Sequence, residues 1–491
     1  MRFTRARHSR FRRHRVVRNS AGSQHRRVDA LVGSEPVASE QNRAWWVLIA
    51  ASSVLGLVVL DETVVGVALP TMRTDLNMSV LASHWVVNAY LLTFSAFLAV
   101  GGRLGDMLGR RGVFPAGAAL FVVGSLVAAA APSGGWLIAG RAVQGVGAAI
   151  TFPASMAIVS SAFPAQRQGV AFGVQTTIAG CFMASGPLVG GVLSQAASWR
   201  WIFFINLPVV AVTVIVLLSV LTTTSGTARA ADFGVTRFDY PGLLTLVGGL
   251  SGITIGLMQS ADWGWSSAAV IGSLGGGVLL LVAFVLVELR RRTPLVELDL
   301  LRNRTFTGGN IVFAVFQFEK MIVFVFVALY LQQVLDRSPI EAGLVVSVAI
   351  LPTLATSRIA GTVRDRYGAR LPLLLTLVVT AAAVAAVGAA TVLNSEPLLI
   401  AVMVVWGAIM PFIAVTTRPA VMGAVPAEKH GQASGVNLSI QMLGGTIAIA
   451  VCSPLLVLTG TFWPVFGLTA AMVAFAAAVA WRTIDIPASS S

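Results

Sequence analysis

Gly102-Arg103-Leu104-Gly105-Asp106-Met107-Leu108-Gly109-Arg110-Arg111 returns 259 residues later as Gly361-Thr362-Val363-Arg364-Asp365-Arg366-Tyr367-Gly368-Ala369-Arg370. Glycine, aspartate, glycine and arginine hold the same places in both copies. A second pair follows in the same order. Pro164-Ala165-Gln166-Arg167-Gln168-Gly169, with Gly173-Val174-Gln175, is matched at a shift of 262 by Pro426-Ala427-Glu428-Lys429-His430-Gly431, with Gly435-Val436-Asn437. Two matches at nearly one shift mark an internal duplication. Parallel repeats of this kind belong to transporters whose halves rock around a site near the bilayer midplane.

The stretches between these motifs are apolar. Hydrophobic residues make up 56% of the 491-residue chain and charged residues 11%, against roughly 25% charged in a soluble chain. A span needs about 20 apolar residues to cross the hydrocarbon. The runs fall at 45–69, 84–102, 113–131, 136–158, 168–193, 201–221, 240–258, 268–288, 306–334, 342–359, 371–393, 398–417, 433–455 and 463–481. They predict an all-α integral membrane protein with fourteen spans. The repeat maps spans one to six onto spans nine to fourteen and leaves seven and eight as an insertion.

Loop charge tests the count. With the N-terminus inside, the inner loops carry Arg103, Arg110, Arg111, Arg167, Arg229, Arg237, Arg290, Arg291, Arg292, Arg302, Arg304, Arg364, Arg366, Arg370 and Lys429. The outer connections carry little beyond Arg73 and Arg337, with Arg200 at the outer mouth of span six. The asymmetry predicts a multi-pass cell-membrane protein with both termini cytoplasmic. Trp45, Trp46, Trp136, Trp199, Trp201, Trp463 and Trp481 are placed as an interfacial belt. The first 43 residues hold eleven arginines against Asp29, Glu35 and Glu40, so +8 of the net +14. No folded nucleic-acid reader accompanies them. They read as a disordered topology signal that can also adhere to anionic lipid. The first span is too long for a signal-peptide core and contains Asp61 and Glu62, so it reads as an uncleaved anchor.

The expected organisation is a basic tail (1–43), an N-terminal six-helix bundle (44–221), two inserted helices with flanking loops (222–305), a C-terminal six-helix bundle (306–482) and a short tail (483–491). Four segments then carry a family resemblance. They are Leu60-Asp61-Glu62-Thr63-Val64-Val65-Gly66-Val67-Ala68-Leu69-Pro70, the Gly102–Arg111 segment, Arg141-Ala142-Val143-Gln144-Gly145-Val146-Gly147-Ala148-Ala149, and Gly186-Pro187-Leu188-Val189-Gly190-Gly191 followed by Trp199-Arg200-Trp201-Ile202-Phe203-Phe204-Ile205-Asn206-Leu207-Pro208. In this order the chain resembles the major facilitator superfamily, in its fourteen-span drug:proton antiporter branch. The resemblance covers about residues 45–482. It implies two pseudo-symmetric six-helix bundles and no cofactor.

The residues admit competing readings. Charged residues inside spans are costly and usually functional. Asp61 and Glu62 point about 100° apart on one helix, so the two cannot face one direction equally. The resemblance puts an acid at Asp61 and a neutral residue next, which makes Asp61 the proton-site candidate and Glu62 a departure. Arg141 is either a snorkelling edge cation or a buried partner of that acid, with Gln144 beside it. Shifting Asp61 by 259 lands on Lys320, next to Glu319. That pair either neutralises itself or joins a cavity cluster in which Lys320 meets Asp61 or Glu62. The resemblance makes Gly102, Asp106, Gly109 and Arg110, with Asp365, Arg366 and Arg370, a conformational latch; topology-setting charge is the alternative. Gly186, Pro187, Gly190 and Gly191 form the antiporter helix kink or ordinary small-residue packing. Phe182 stands where the family often has glycine. Asn88, Gln144, Gln317 and Phe316 are the expected substrate contacts. Phe313, Phe318, Phe324 and Phe326 share span nine with Phe316 and face lipid or neighbouring helices.

Absences narrow the function. The only lysines, Lys320 and Lys429, follow Glu319 and Glu428, so no phosphate-binding GxxxxGK[ST] loop exists. Cys181 and Cys452 define neither a disulfide framework nor a zinc site. The reading is a monomeric, proton-coupled antiporter, not an enzyme, exporting amphipathic and often cationic small molecules. A lipid or secreted-metabolite exporter in the same fold and a non-transporting receptor or scaffold are the alternatives.

Overall fold

With no water to hydrogen-bond in a bilayer, a spanning segment must satisfy its backbone internally, so apolar runs become helices. The computed structural model describes residues 35–222, 239–291, 294–426 and 429–484. The long helices are α1 (Glu35–Asp75), α2 (Val80–Leu108), α3 (Arg110–Ala129), α4 (Gly134–Ala162), α5 (Ala165–Ala196), α6 (Trp201–Phe204 and Asn206–Thr222), α7 (Tyr240–Met258), α8 (Ala268–Arg290), α9 (Arg304–Gln333), α10 (Pro339–Tyr367), α11 (Arg370–Leu393), α12 (Glu396–Gly423), α13 (His430–Thr459) and α14 (Trp463–Thr483). Thirteen are long and apolar enough to cross a membrane. The sixth expected span, 201–221, appears as a shorter apolar helix, Trp201–Leu217. The described residues from Val47 onward cluster as one compact unit. The expected tails lie mostly outside the described residues.

Helix ends follow local chemistry. Ser79 caps α2 by accepting from the Ala82 N–H at 3.1 Å. Ser338 and Glu341 form a reciprocal capping box at the start of α10. The duplicated motif is less of a loop than its glycines imply. Residues 102–108 stay helical, and the chain breaks only at Gly109, with φ +84°, before α3 begins. Its equivalent, Gly368, has φ +76° between α10 and α11. Positive φ is cheap only for glycine, so the duplication extends to backbone conformation.

Small residues set how closely helices approach. A Cβ on Gly191 of α5 would strike the Pro339 carbonyl of α10, and one on Gly343 of α10 would strike the Pro187 carbonyl. Gly66 of α1 lies against the Phe324 carbonyl and Val325 of α9. All of these lie toward the face opposite the duplicated motif. There Gln332 donates to the Val67 carbonyl at 2.9 Å, and Gln195 accepts from the Ile340 N–H at 3.3 Å. Toward the motif face, nothing lies within 4 Å of a Cβ placed on Gly102, Gly173, Gly361 or Gly435. The halves meet at the distal face, and the glycines at the motif face are uncrowded.

The inserted α7 and α8 are not a free-standing pair. Leu250 of α7 packs with Leu92 and Ala96 of α2 and with Leu443 of α13. Gln259, just after α7, accepts from the Trp85 indole at 3.2 Å. Because α2 and α13 belong to different halves, the insertion bridges both.

One sequence expectation needs correction. Trp199 is not part of an interfacial belt; it is 2% exposed, donates to Asp75 at 2.9 Å and lies under the Arg200 guanidinium at 4.3 Å. Trp46, Trp136, Trp201, Trp463 and Trp481 are exposed as expected. Of the two settings expected for Phe313, Phe316, Phe318, Phe324 and Phe326, the structure has neighbouring helices and not lipid: all five are buried, because α9 is enclosed by α10, α12, α13 and α14.

Candidate functional site

Asp61 and Glu62 diverge as adjacent helical residues must, and each finds a cation. Asp61, 1% exposed, pairs with Arg141 of α4, itself 1% exposed. Burial excludes the snorkelling reading of Arg141. Its guanidinium also donates to the Val86 carbonyl and to Gln144 Oε1, each at 2.9 Å, and lies 4.3 Å from the centre of the Tyr90 ring. Gln144 donates in turn to Ser125 at 2.8 Å, and Asn206 of α6 donates to the same hydroxyl at 3.2 Å. One ion pair thus ties α1, α2, α3, α4 and α6, all in the N-terminal half. Gln144, expected at the substrate cavity, spends its amide inside this network. One oxygen of Asp61, Oδ1, has no hydrogen-bond partner among the described residues.

Glu62 points the other way. It accepts from Lys320 Nζ at 3.0 Å and from Gln317 Nε2 at 3.3 Å, both on α9. Gln317 extends the chain to α13, accepting from Gln441 at 3.5 Å and contacting Met442 Sδ at 3.8 Å. Glu62, Gln317 and Lys320 are all buried. The pair joins the two halves, and of the two acids open to Lys320 in the sequence it selects Glu62.

Glu319 is fully buried, and neither oxygen meets an ordinary hydrogen bond. Its polar neighbour is the indole of Trp406 on α12, a ring packed edge-on against Phe324 at 5.8 Å. Glu319 therefore does not neutralise Lys320. Asn88 of α2 is buried with both amide atoms unpartnered. Phe316 is 7% exposed, next to Gln317 on α9.

Helix α5 runs unbroken through Pro187. Gly186 and Gly190 bring it against Thr63 and Val64 of α1, and Gly191 against α10. The departure at Phe182 has a structural answer: its ring occupies the space that a Cβ on Gly56 of α1 would need, 2.7 Å away. Bulk has moved from one helix to the other. In the motif, the side chains of Asp106 and Arg110 lie outside the described residues, and Gly102 and Gly109 are uncrowded. In the second copy Asp365 pairs with neighbouring Arg364 at 2.6 Å, and Arg366 stacks near Tyr367. Arg370 donates to the Trp481 carbonyl at 2.7 Å, tying α11 to α14. Among the described residues no group of three His, Cys, Asp or Glu side chains is placed to hold a metal.

Sequence reading missed Ser125, Gln441 and Trp406, which are ordinary residues in apolar runs with nothing local to mark them; Asn206 stood in the quoted Trp199–Pro208 segment without a role attached to it. Arg418 was missed for another reason. It falls one residue past the run 398–417, was left out of the loop charges, and lies inside α12. An apolar groove is formed by Leu193, Trp201, Phe204, Ile205, Leu207 and Pro208 where α5 meets α6.

Two six-helix halves joined at buried charges, plus a bridging insertion, define a membrane transporter fold and not an enzyme. The sequence profile of the Major Facilitator Superfamily matches residues 51–449 and 309–491, and the chain belongs to that family. It is 36% identical over 425 residues to the puromycin resistance protein of Streptomyces alboniger, covering 83% of this chain and 81% of the relative. The tetracenomycin C resistance and export protein of Streptomyces glaucescens is 30% identical over 429 residues, covering 87% and 78%. The fold matches the crystal structure of a D-xylose-proton symporter with a TM-score of 0.64 at 14% identity, covering 90% of this chain and 98% of that one. An inward-open xylose transporter from E. coli gives 0.64 at 13% identity, covering 91% and 98%.

Proposed function

We propose that the chain is a proton-coupled antiporter that exports amphipathic small molecules by alternating access, with the motif face cytoplasmic and both termini inside. The observation that carries this reading is the pair of buried acids at adjacent positions of α1, turned about 100° apart, Asp61 held within one half and Glu62 held across to the other. Taking one partner from a buried ion pair costs about 3–5 kcal/mol, enough to bias a two-state rocking equilibrium. Protonating Glu62 cancels its attraction for Lys320 and loosens the tie between halves. The uncrowded glycines at the motif face and the crowded ones at the distal face fit a state open to the cytoplasm. The names of the relatives, resistance and export proteins for antibiotics, support outward movement of organic molecules.

The test is transport in proteoliposomes under an imposed pH gradient, read with amphipathic dyes. The wild type moves dye against its gradient, whereas Glu62→Gln and Asp61→Asn are correctly folded but lose the proton-driven component. Undiminished gradient-driven transport in both single variants would sink the proposal.

A further inference from the structure

The acids of the first span led the sequence reading to favour cationic cargo. The charge accessible inside the bundle has the opposite sign. Asp61, Glu62 and Glu319 are 1%, 4% and 0% exposed, and the first two are already matched by Arg141 and Lys320. Arg418 is different. Thr417 and Val421, its neighbours on α12, close against Gly309 of α9, and its guanidinium lies 5.6 Å from the centre of the buried Phe313 ring. It therefore sits against the central helix α9, yet it is exposed.

An arginine opening onto hydrocarbon is expensive, so an exposed one against a central helix faces water. Arg418 is five residues from the end of α12 at Gly423, about 7–8 Å along the axis, on the side where the motif-face glycines are uncrowded. Among the described residues no carboxylate or hydrogen-bond acceptor engages it; its recorded partner is the Phe313 ring. The adjacent Thr417 hydroxyl is buried and also unpartnered. Asn310, Phe313, Gln317 and Lys320 follow at spacings of three and four, and so share one face of α9. That stripe leads from Arg418 toward the Glu62–Lys320 tie, about 10 Å away along the helix axis.

We infer that Arg418 is a specificity residue that binds the anionic group, of carboxylate type, of an amphipathic cargo whose apolar body lies along Phe313 and Phe316. A guanidinium fork matches a carboxylate with two parallel hydrogen bonds, and the neighbouring phenyl ring suits an attached apolar group. This inference rests on the transport reading above and assigns the charge of its cargo. Arg358 of α10 is also exposed within a span, but its guanidinium meets no ring or acceptor of α9, which makes it the control.

The test is equilibrium binding to the full-length protein in detergent, so it does not depend on transport. The probes are a fluorescein dye bearing a free carboxylate, its methyl ester and a cationic rhodamine of similar ring size. The wild type binds the carboxylate dye most tightly. Arg418→Gln weakens that dye about tenfold or more, as losing a charge-assisted contact implies, and moves the ester and the rhodamine less than about twofold. Arg418→Lys recovers part of the affinity, and Arg358→Gln leaves it unchanged. Monodisperse elution and an unchanged melting temperature show that each variant is folded. Preference of the wild type for the rhodamine, or equal loss of ester and carboxylate in Arg418→Gln, overturns the inference. If the binding pattern holds while no dye moves under a pH gradient, the transport reading fails and the anion site stands.

Discussion

The N-terminal charge cluster and the charge pair between the halves start from neighbouring residues and are built for different work. Asp61 and Arg141 lie within one bundle, supported by Val86, Gln144, Ser125, Asn206 and the Tyr90 ring. Glu62 and Lys320 lie between bundles, supported among the described residues by Gln317 at hydrogen-bond distance. A network inside one half moves with that half and holds its helices in register. A pair between halves is made or broken as they move. The second ties its protonation directly to the relative position of the halves; the first can act only through the half it holds together.

The comparison is broken most severely at Arg141. Replacing it with leucine strands a buried carboxylate and removes the anchor of five helices, so about 3–5 kcal/mol of stability should be lost. Thermal melting of the purified protein checks this, and Asp61→Asn combined with Arg141→Leu should recover part of the loss. Lys320→Met is expected to be milder for folding and more severe for function, because Glu62 remains as an acid with no tie to pull. A melting temperature lowered less than in Arg141→Leu, with proton-driven export lost, is the expected result. Gly343→Ala acts on the contact itself. Its methyl would strike the Pro187 carbonyl at the distal face, costing about 1–3 kcal/mol in that closed arrangement. Cysteines placed at the distal ends of α5 and α10 should then label faster with an impermeant maleimide. The smallest effect is expected at Trp85→Phe, which deletes the hydrogen bond to Gln259 and loosens the inserted pair by about 1 kcal/mol. Hydrogen exchange of residues 240–263 reads that change.

The architecture was legible because its signals are local and repeated. Gly109 and Gly368 announce the same break, and apolar runs of bilayer length leave few choices of fold. The pairing of Lys320 was half legible: the repeat placed it at the depth of Asp61, but a 259-residue shift carries no information about which way a side chain turns. The helical angle between Asp61 and Glu62 decides it, and that angle becomes useful only once α4 and α9 are placed on either side of α1. Ser125 and Asn206 are separated by 81 positions, and no spacing rule joins them. Phe182 looked like a flaw in the antiporter helix until Gly56 supplied the missing volume on its neighbour. Arg418 was visible as a charge at the end of a span, but only its place beside Phe313 distinguishes a cleft cation from a topology signal.

The central claim is that protonation of Glu62 unties the halves. Spin labels on the motif ends of α5 and α10 in nanodiscs give an interhelix distance distribution that can be followed as a function of pH. The account predicts that the wild-type distribution shifts reversibly with pH, that Glu62→Gln holds the low-pH distribution at every pH, and that Asp61→Asn still shifts. A Glu62→Gln protein that keeps the full wild-type shift would contradict it.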